Sequence, residues 1–105
     1  MVAGCQPTGH TTSKAEAIST ASAIAGPTTR ADAKLVPYRV IREALDYPPD
    51  VPGQPADSEK VWAVAMSTRG PNAGWTVVIV RARDDRVVSK TTGSGDDWPP
   101  FWNAI

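Results

Sequence analysis

The sequence predicts an α+β fold, with one N-terminal helix packed on a small antiparallel sheet of three to four strands. Three observations predict it. A run of alanines and isoleucines near the N-terminus has helical spacing, two apolar β-branched segments follow later, and tight turns separate the segments of the second half. The chain has 105 residues, which fits one domain.

The charge balance and composition exclude several classes of protein. Eleven Lys and Arg against eleven Asp and Glu give a formal net charge of zero, whereas a general nucleic-acid binder is expected to be basic. No run of about 18 apolar residues is present, so no segment is predicted to span a membrane. A single cysteine cannot form an internal disulfide. Ten prolines and eight glycines indicate short elements and long loops.

The first five residues, Met1-Val2-Ala3-Gly4-Cys5, resemble a bacterial lipobox, in which a signal peptide is cut before a cysteine that then carries lipid. The charged and apolar regions of a signal peptide do not precede it in this sequence. The alternative is an ordinary cytosolic start with a chance cysteine. On the first interpretation, residues 1–12 form a flexible leader, and a lipid on Cys5 is the only membrane contact.

The first element of the domain, which we place at residues 13–92, is a helix over 14–25. Ser13 and Glu16 have the S-x-x-E spacing of a capping box, and Gly26-Pro27 is a stop signal. The apolar positions that follow share one helical face, and they are Ala17, Ile18, Ala21, Ile24 and Ala25. Because this face is mostly alanine, the helix is expected to lie close to the sheet.

Residues 34–46 fit two patterns. Pro37, Val40 and Ile41 have helical spacing, with a proline allowed in the first turn. The alternation of Tyr38, Val40 and Arg42 also fits a strand, which Pro37 would confine to an edge or a bulge. Residues 47–59 hold four prolines and one glycine and form a loop. A loop of this length in a compact domain is either functional or mobile.

The remaining strands are predicted over 61–66, 75–82 and 86–89. The segment at 75–82 is rich in β-branched residues and apolar on both faces. Asp84 and Asp85 form the tight turn before the last strand. Residues 93–105 then form a tail that is first rich in Gly and Ser and then strongly aromatic.

Three of these segments resemble a PepSY-type domain, a small extracytoplasmic module also found in peptidase propeptides. Residues 13–25 are similar to its helix, Val61-Trp62-Ala63-Val64 to its W-x-V strand, and residues 77–89 to its final hairpin, with Asp84-Asp85-Arg86 in place of a Thr-Gly pair. The resemblance favours a strand over 35–45. It implies no catalytic residues, and it implies a binding or inhibitory role outside the cytoplasm toward a peptidase or another envelope protein.

The residues themselves predict no catalytic centre, metal site or cofactor. Cys5 and His10 both lie in the leader, away from the rigid frame that a nucleophile pair needs. The pairs at 84–85 and 96–97 match no calcium loop and are interpreted as solvated turn carboxylates. A basic cluster of Arg81, Arg83 and Arg86 protects a sheet edge or contacts an anionic partner or lipid headgroup.

The most informative feature is an apolar surplus. Both faces of the 75–82 strand are apolar, yet one helix covers only one face of a sheet. The second face is covered by the aromatic tail, by the 47–59 loop, by a second copy of the chain or by another protein. Tryptophan and phenylalanine dominate interfaces, so we assign partner binding to the five large aromatics of the sheet and tail, namely Trp62, Trp75, Trp98, Phe101 and Trp102.

These observations lead to one functional expectation and one alternative. We expect a non-catalytic, extracytoplasmic binding module, a lipoprotein anchored through Cys5, that contacts or regulates an envelope protein, with a peptidase among the candidates. The alternative is a soluble structural or accessory subunit, cytoplasmic or secreted and homodimeric in one version. The sequence names neither the partner nor the oligomeric state.

Overall fold

The computed structural model describes residues 11–26, 28–49, 51–68 and 73–105. In chain order its elements are α1 (Lys14–Ala25), β1 (Thr28–Pro37), α2 (Tyr38–Ala44), β2 (Lys60–Thr68), β3 (Gly74–Arg81), β4 (Arg86–Gly93) and a 3₁₀ turn (Trp102–Ala104). The four strands form an antiparallel sheet in the order β1-β2-β3-β4. The predicted α+β fold is confirmed, with a second short helix in addition. Within the described ranges, no helix has the length and apolar character needed to cross a membrane.

The predicted N-terminal helix is confirmed, together with its capping box. The Ser13 hydroxyl accepts a hydrogen bond from the Glu16 N–H at 3.1 Å, and the Glu16 carboxylate accepts one from the Ser13 N–H at 2.8 Å. The helix ends at Ala25, and the capping residue Gly26 has a φ of 83°, which suits a residue without a Cβ. Ala17 and Ala21 are fully buried, so small side chains let α1 lie close to the sheet.

The strand expected over 35–45 is wrong from Tyr38 onward. β1 ends at Pro37, which pairs with Lys60, and α2 begins at the next residue. Pro37 has an extended conformation but lacks an N–H, so it suits the last position of an edge strand and the start of a helix. Tyr38 and Ile41, one helical turn apart, then carry the buried side of α2. The first part of β1 was not predicted, because its residues 28–34 are mostly polar.

The later strands are confirmed: β2 and β4 are longer than predicted, whereas β3 has the predicted length and begins one residue earlier. Val64 pairs with Val78 across β2 and β3. β4 continues to Gly93, and its pairing with β3 shifts register between Ile79 and Val80, which leaves Val88 as an extra residue. The strand at 86–89 therefore extends through four further residues, whose threonines have high strand propensity.

Two hydrophobic cores lie on opposite faces of the sheet. The α1 face buries Ala17, Ala21, Ala33, Val64, Met66, Val78 and Val80. The other face buries Tyr38, Ile41, Val61, Ala63, Ala65, Val77, Ile79 and Trp102, with Tyr47, Trp98 and Phe101 packed against it. The second face is thus covered by α2, the 47–59 loop and the aromatic tail of the same chain. No second copy is needed to cover it.

Candidate functional site

The loop that follows α2 leaves the helix in a fixed direction. The Tyr47 N–H donates to the Arg42 carbonyl at 2.9 Å, and the Asp46 N–H donates to the Glu43 carbonyl at 3.1 Å. This pair of bonds is a Schellman motif, and Asp46 occupies its left-handed position with a φ of 58°. The chain therefore turns away from α2 with Tyr47 directed back over the sheet.

Arg42 ties the two ends of this loop together. Its guanidinium donates to both carboxylate oxygens of Asp57, at 2.9 and 3.1 Å, and to the Tyr47 carbonyl at 3.3 Å. The hydrogen bond with Asp57 raises the pKa of Arg42 above its usual range. A forked, two-point contact of this kind fixes orientation as well as distance. The proline-rich loop is held at both ends by one side chain.

Two phenols fix the loop against the sheet. The Tyr47 hydroxyl forms a hydrogen bond with the Thr91 hydroxyl on β4. The Tyr38 hydroxyl donates to the Gln54 side-chain carbonyl at 3.4 Å. Burial, followed by the nearby Tyr47, raises the pKa of Tyr38, so this phenol stays a neutral donor at physiological pH.

Between the loop and β4 lies a groove, called here the loop groove. It has a cavity of about 240 Å³, lined by Tyr38, Tyr47, Pro48, Val51, Gln54 and Ser89. A second depression of about 390 Å³ shares four of these residues and continues along the loop to Asp57. Sites for small molecules usually measure about 300–1,000 Å³. The smaller cavity suits one side chain of a polypeptide, and the two together suit an extended segment.

The smaller cavity of the groove is lined mainly by aromatic and aliphatic side chains, with Gln54 and Ser89 as its non-aromatic polar residues. Its six lining residues include no carboxylate, amine, imidazole or thiol. The Ser89 hydroxyl is buried and has no hydrogen-bond partner among the described residues. Val51 remains 38% exposed. An unpartnered buried hydroxyl costs free energy unless water or a bound group satisfies it.

The aromatic residues predicted to bind a partner are engaged within the molecule. Trp102 is 4% exposed and belongs to the core. Trp98 packs edge-on against it with centroids 6.0 Å apart, and the Arg30 guanidinium lies 3.8 Å from the Trp98 ring centroid. Phe101 packs edge-on against Trp75 at 5.6 Å. The tail therefore folds back as part of the core, and a partner-binding role for these residues stays a prediction.

Charged side chains on β1 form hydrogen bonds and an ion pair that hold the tail and α1 against the sheet. The Lys34 ammonium donates to the carbonyls of Trp102 and Ile105, at 2.6 and 3.2 Å. Asp32 forms an ion pair with Lys14 at 3.0 Å and accepts from the Trp102 indole at 3.4 Å. Burial raises the pKa of Asp32, but the hydrogen bonds from Lys14, the Ala33 backbone and Trp102 outweigh it, so the pKa is lowered overall.

The end of the predicted leader is built into the fold. The Trp62 indole donates to the Thr12 carbonyl at 2.7 Å, and the Thr12 N–H donates to the Ala82 carbonyl at 2.6 Å. Thr12 is 1% exposed. Trp62 packs against the α1-side core. Cys5 and His10 lie outside the described residues.

The predicted basic cluster separates into paired and unpaired members. Arg81 donates to the Asp84 carboxylate at 3.0 Å, and Arg83 forms an ion pair with Glu59 at 3.4 Å. The hydrogen bond from Arg81 lowers the pKa of Asp84. Arg86 is exposed, and no ion pair involves its side chain within the part of the chain that the structure describes.

The turn aspartates have structural contacts. Asp85 has a φ of 59° and accepts from the Thr20 hydroxyl at 2.7 Å, which ties the β3–β4 turn to α1. Asp96 and Asp97 line an open cavity of about 620 Å³ at the far end of the sheet. No group of three or more His, Cys, Asp or Glu side chains suited to a metal ion occurs among residues 11–26, 28–49, 51–68 and 73–105.

No family model, curated protein or solved structure matches this chain. The resemblance to a PepSY-type domain therefore stays a prediction. The candidate site rests on the geometry of the loop groove. Sequence reasoning did not assign Tyr38, Tyr47 or Ser89 to a site. The signal that pointed there was the long loop with four prolines and a tyrosine at its start.

Proposed function

We propose that this chain is a non-catalytic binding module of the cell envelope, anchored by a lipid on Cys5, and that its loop groove binds a segment of another envelope protein. The observation that carries the proposal is the loop groove itself. It combines an apolar, side-chain-sized cavity, an exposed valine at its rim and a buried hydroxyl that has no hydrogen-bond partner among the described residues.

The way the loop is held supports binding. Arg42, Asp57 and the Tyr47–Thr91 contact hold its two ends before any partner arrives. A surface that is already ordered loses little conformational entropy on association, so more of the contact energy appears as affinity.

The composition of the groove favours binding over catalysis. General acid–base chemistry needs a titratable group within hydrogen-bond reach of the reacting atom. Burial raises the pKa of the Tyr38 phenol in the smaller cavity, which moves it further from neutrality. Ser89 has no base beside it among the lining residues. We therefore assign the groove to recognition.

The position of Thr12 sets how far the domain can lie from a lipid on Cys5. Its backbone bond to Ala82 marks an ordered point of the domain. Seven peptide units separate Cys5 from this point, and a fully extended chain of that length spans about 25 Å. A lipid on Cys5 would therefore keep the domain close to the membrane surface, where an envelope partner is found.

The binding function is tested by photo-crosslinking in the cell that encodes the protein. A benzophenone amino acid replaces Val51 at the groove in the full chain, and in the control it replaces Ile24 on α1, since the two side chains are 38% and 40% exposed. We expect one discrete protein adduct from position 51 and none from position 24. Loss of the adduct at 51, or the same adduct from both positions, would reject the groove as the binding site.

The anchor is tested separately. The native gene, with whatever precedes Met1, is expressed in cells fed an alkyne fatty acid. The parent protein should incorporate the label and sediment with membranes, whereas the Cys5→Ser variant should do neither. Equal labelling of both proteins, or of neither, contradicts the anchor without affecting the groove.

A further inference from the structure

β4 is the outer strand beside the loop groove, and among the described residues no strand pairs with its outer edge. It packs mainly against β3, whereas α1 contacts β1, β2 and β3, and α2 contacts β1 and β2. Every second residue of an edge strand turns its N–H and C=O away from the sheet. The eight residues Arg86–Gly93 thus offer a row of backbone donors and acceptors.

The two edges of the sheet differ in their charges. On β1, Arg30 lies over Trp98 and Lys34 binds two carbonyls of the tail, so both cations are occupied. On β4, Arg86 and Lys90 are exposed, and neither side chain has an ion pair or a hydrogen bond among the described residues. β4 contains no acidic residue. Within the part of the chain that the structure describes, this edge therefore carries two unpaired cations, Arg86 on the groove face and Lys90 on the α1 face.

The bulge in β4 links this edge to the groove. Ser89 pairs with Ile79, and the extra residue Val88 lies where the register shifts. Val88 packs against the same core as Tyr47, and Ser89 lines the cavity. In an extended segment added alongside β4, alternate side chains point to that face of the sheet. One of them would lie beside the buried Ser89 hydroxyl.

We infer that β4 binds an extended, acidic segment of the partner protein as a fifth strand, with an apolar side chain of that segment in the loop groove. This inference rests on the proposed function and specifies the partner's chemistry. Backbone hydrogen bonds supply affinity in such strand addition, and side-chain pockets supply specificity. One carboxylate of the segment pairs with Arg86, which shares the groove face with Ser89, and another pairs with Lys90 on the α1 face. A second copy of β4 fits poorly, because it would bring the same two cations to the interface.

The test uses two synthetic twelve-residue probes, one repeating Glu-Glu-Val-Val and the other repeating Lys-Lys-Val-Val, so that each face of the added strand carries both charged residues and valines. Fluorescence anisotropy with the full chain should show binding of the glutamate probe and at least tenfold weaker binding of the lysine probe. Charge reversal of the edge, Arg86→Glu with Lys90→Glu, should invert this preference. The control Arg39→Glu removes an exposed cation of α2 and should leave the preference unchanged.

A second pair of probes separates strand addition from contact through side chains alone. The glutamate peptide is N-methylated on its odd residues in one probe and on its even residues in the other. A strand on β4 uses the N–H groups of one set only, so one probe should lose binding at least tenfold and the other should keep it. Amide hydrogen exchange in 86–93 should slow when the unmodified glutamate probe binds.

Three results would overturn the inference. These are equal binding of the two N-methylated probes, no binding of the glutamate probe at millimolar concentration, and a dimer of the chain that protects the β4 amides without peptide. Each leaves the crosslinking result at position 51 unaffected. A discrete adduct there with any of these outcomes means that the groove binds a partner without strand addition. Absence of that adduct removes the binding function itself.

Discussion

The backbone of Asp46 determines how the groove loop leaves α2. Asp46 has a φ of 58° at the left-handed position of the Schellman motif, where glycine is most common. A residue with a Cβ pays a steric cost in this region, which is smaller for aspartate than for most residues. A carboxylate at a helix C-terminus also opposes the helix dipole. The backbone conformation of Asp46 and its charge therefore both lower the stability of the fold.

Replacement of Asp46 tests this account. Asp46→Gly should raise the free energy of unfolding by about 0.5–1 kcal/mol, because strain is relieved at a position whose backbone glycine adopts freely. Asp46→Val should lower it by about 1 kcal/mol or more. Urea unfolding monitored by tryptophan fluorescence gives both values. Ser19→Gly in the exposed part of α1 is the control and should destabilise, since there glycine only adds chain entropy.

Asp32 is a single residue that makes the free energy of unfolding depend on pH. Its pKa lies below its ordinary value of 3.8 in the folded chain. The unfolded chain therefore binds the proton more readily, and the stabilisation from the carboxylate is present above about pH 4 and is lost as pH falls through the folded pKa.

Asp32→Asn checks this sign. The free energy of unfolding of the parent chain should exceed that of the variant at pH 6, and the difference should shrink as pH falls below 3.8. Denaturant unfolding at several pH values measures it. A difference that grows on acidification would mean that the Lys14 and Trp102 contacts do not favour the ionised form.

At the scale of elements, the sequence predicted those helices and strands whose ends are set by neighbouring residues. The Ser13–Glu16 capping box gives the start of α1, and the β-branched run gives β3. The boundary at Pro37 was not predictable, because residues 34–46 satisfy both periodicities and pairing with β2 decides between them. The polar start of β1 was missed because an edge strand needs no apolar alternation when its charges are held by the tail and α1.

The aromatic tail is the element whose role the packing defines most clearly. Trp102→Ala removes a core side chain that is 4% exposed and should cost about 3–5 kcal/mol in the free energy of unfolding. Trp98→Ala, at a half-buried position of the same tail, should cost clearly less. Thermal and urea unfolding measure both. An unchanged stability of Trp102→Ala would mean that the tail is a recognition element that is not part of the core.

At the scale of the whole molecule, a sheet with two apolar faces is completed within one short chain. The apolar surplus on 75–82 predicted that the second face is covered, and the aromatic content of the tail predicted one cover. The shared role of α2 and the proline-rich loop was not predictable, because it depends on Arg42 and Tyr47 meeting partners 15 and 44 residues away. The loop groove arises from these long-range contacts, so the sequence indicated only that a long, proline-rich loop is present.

The central claim is that the loop groove and the open edge of β4 act as one binding surface. The most direct test measures the yield of the photo-crosslinked adduct from position 51 in a chain that also carries Arg86→Glu and Lys90→Glu, against a chain that carries Arg39→Glu. We expect the yield to fall at least tenfold in the first chain and to match the parent in the second. Equal yields in both would contradict the claim and leave β4 as a charged edge that protects the sheet from aggregation.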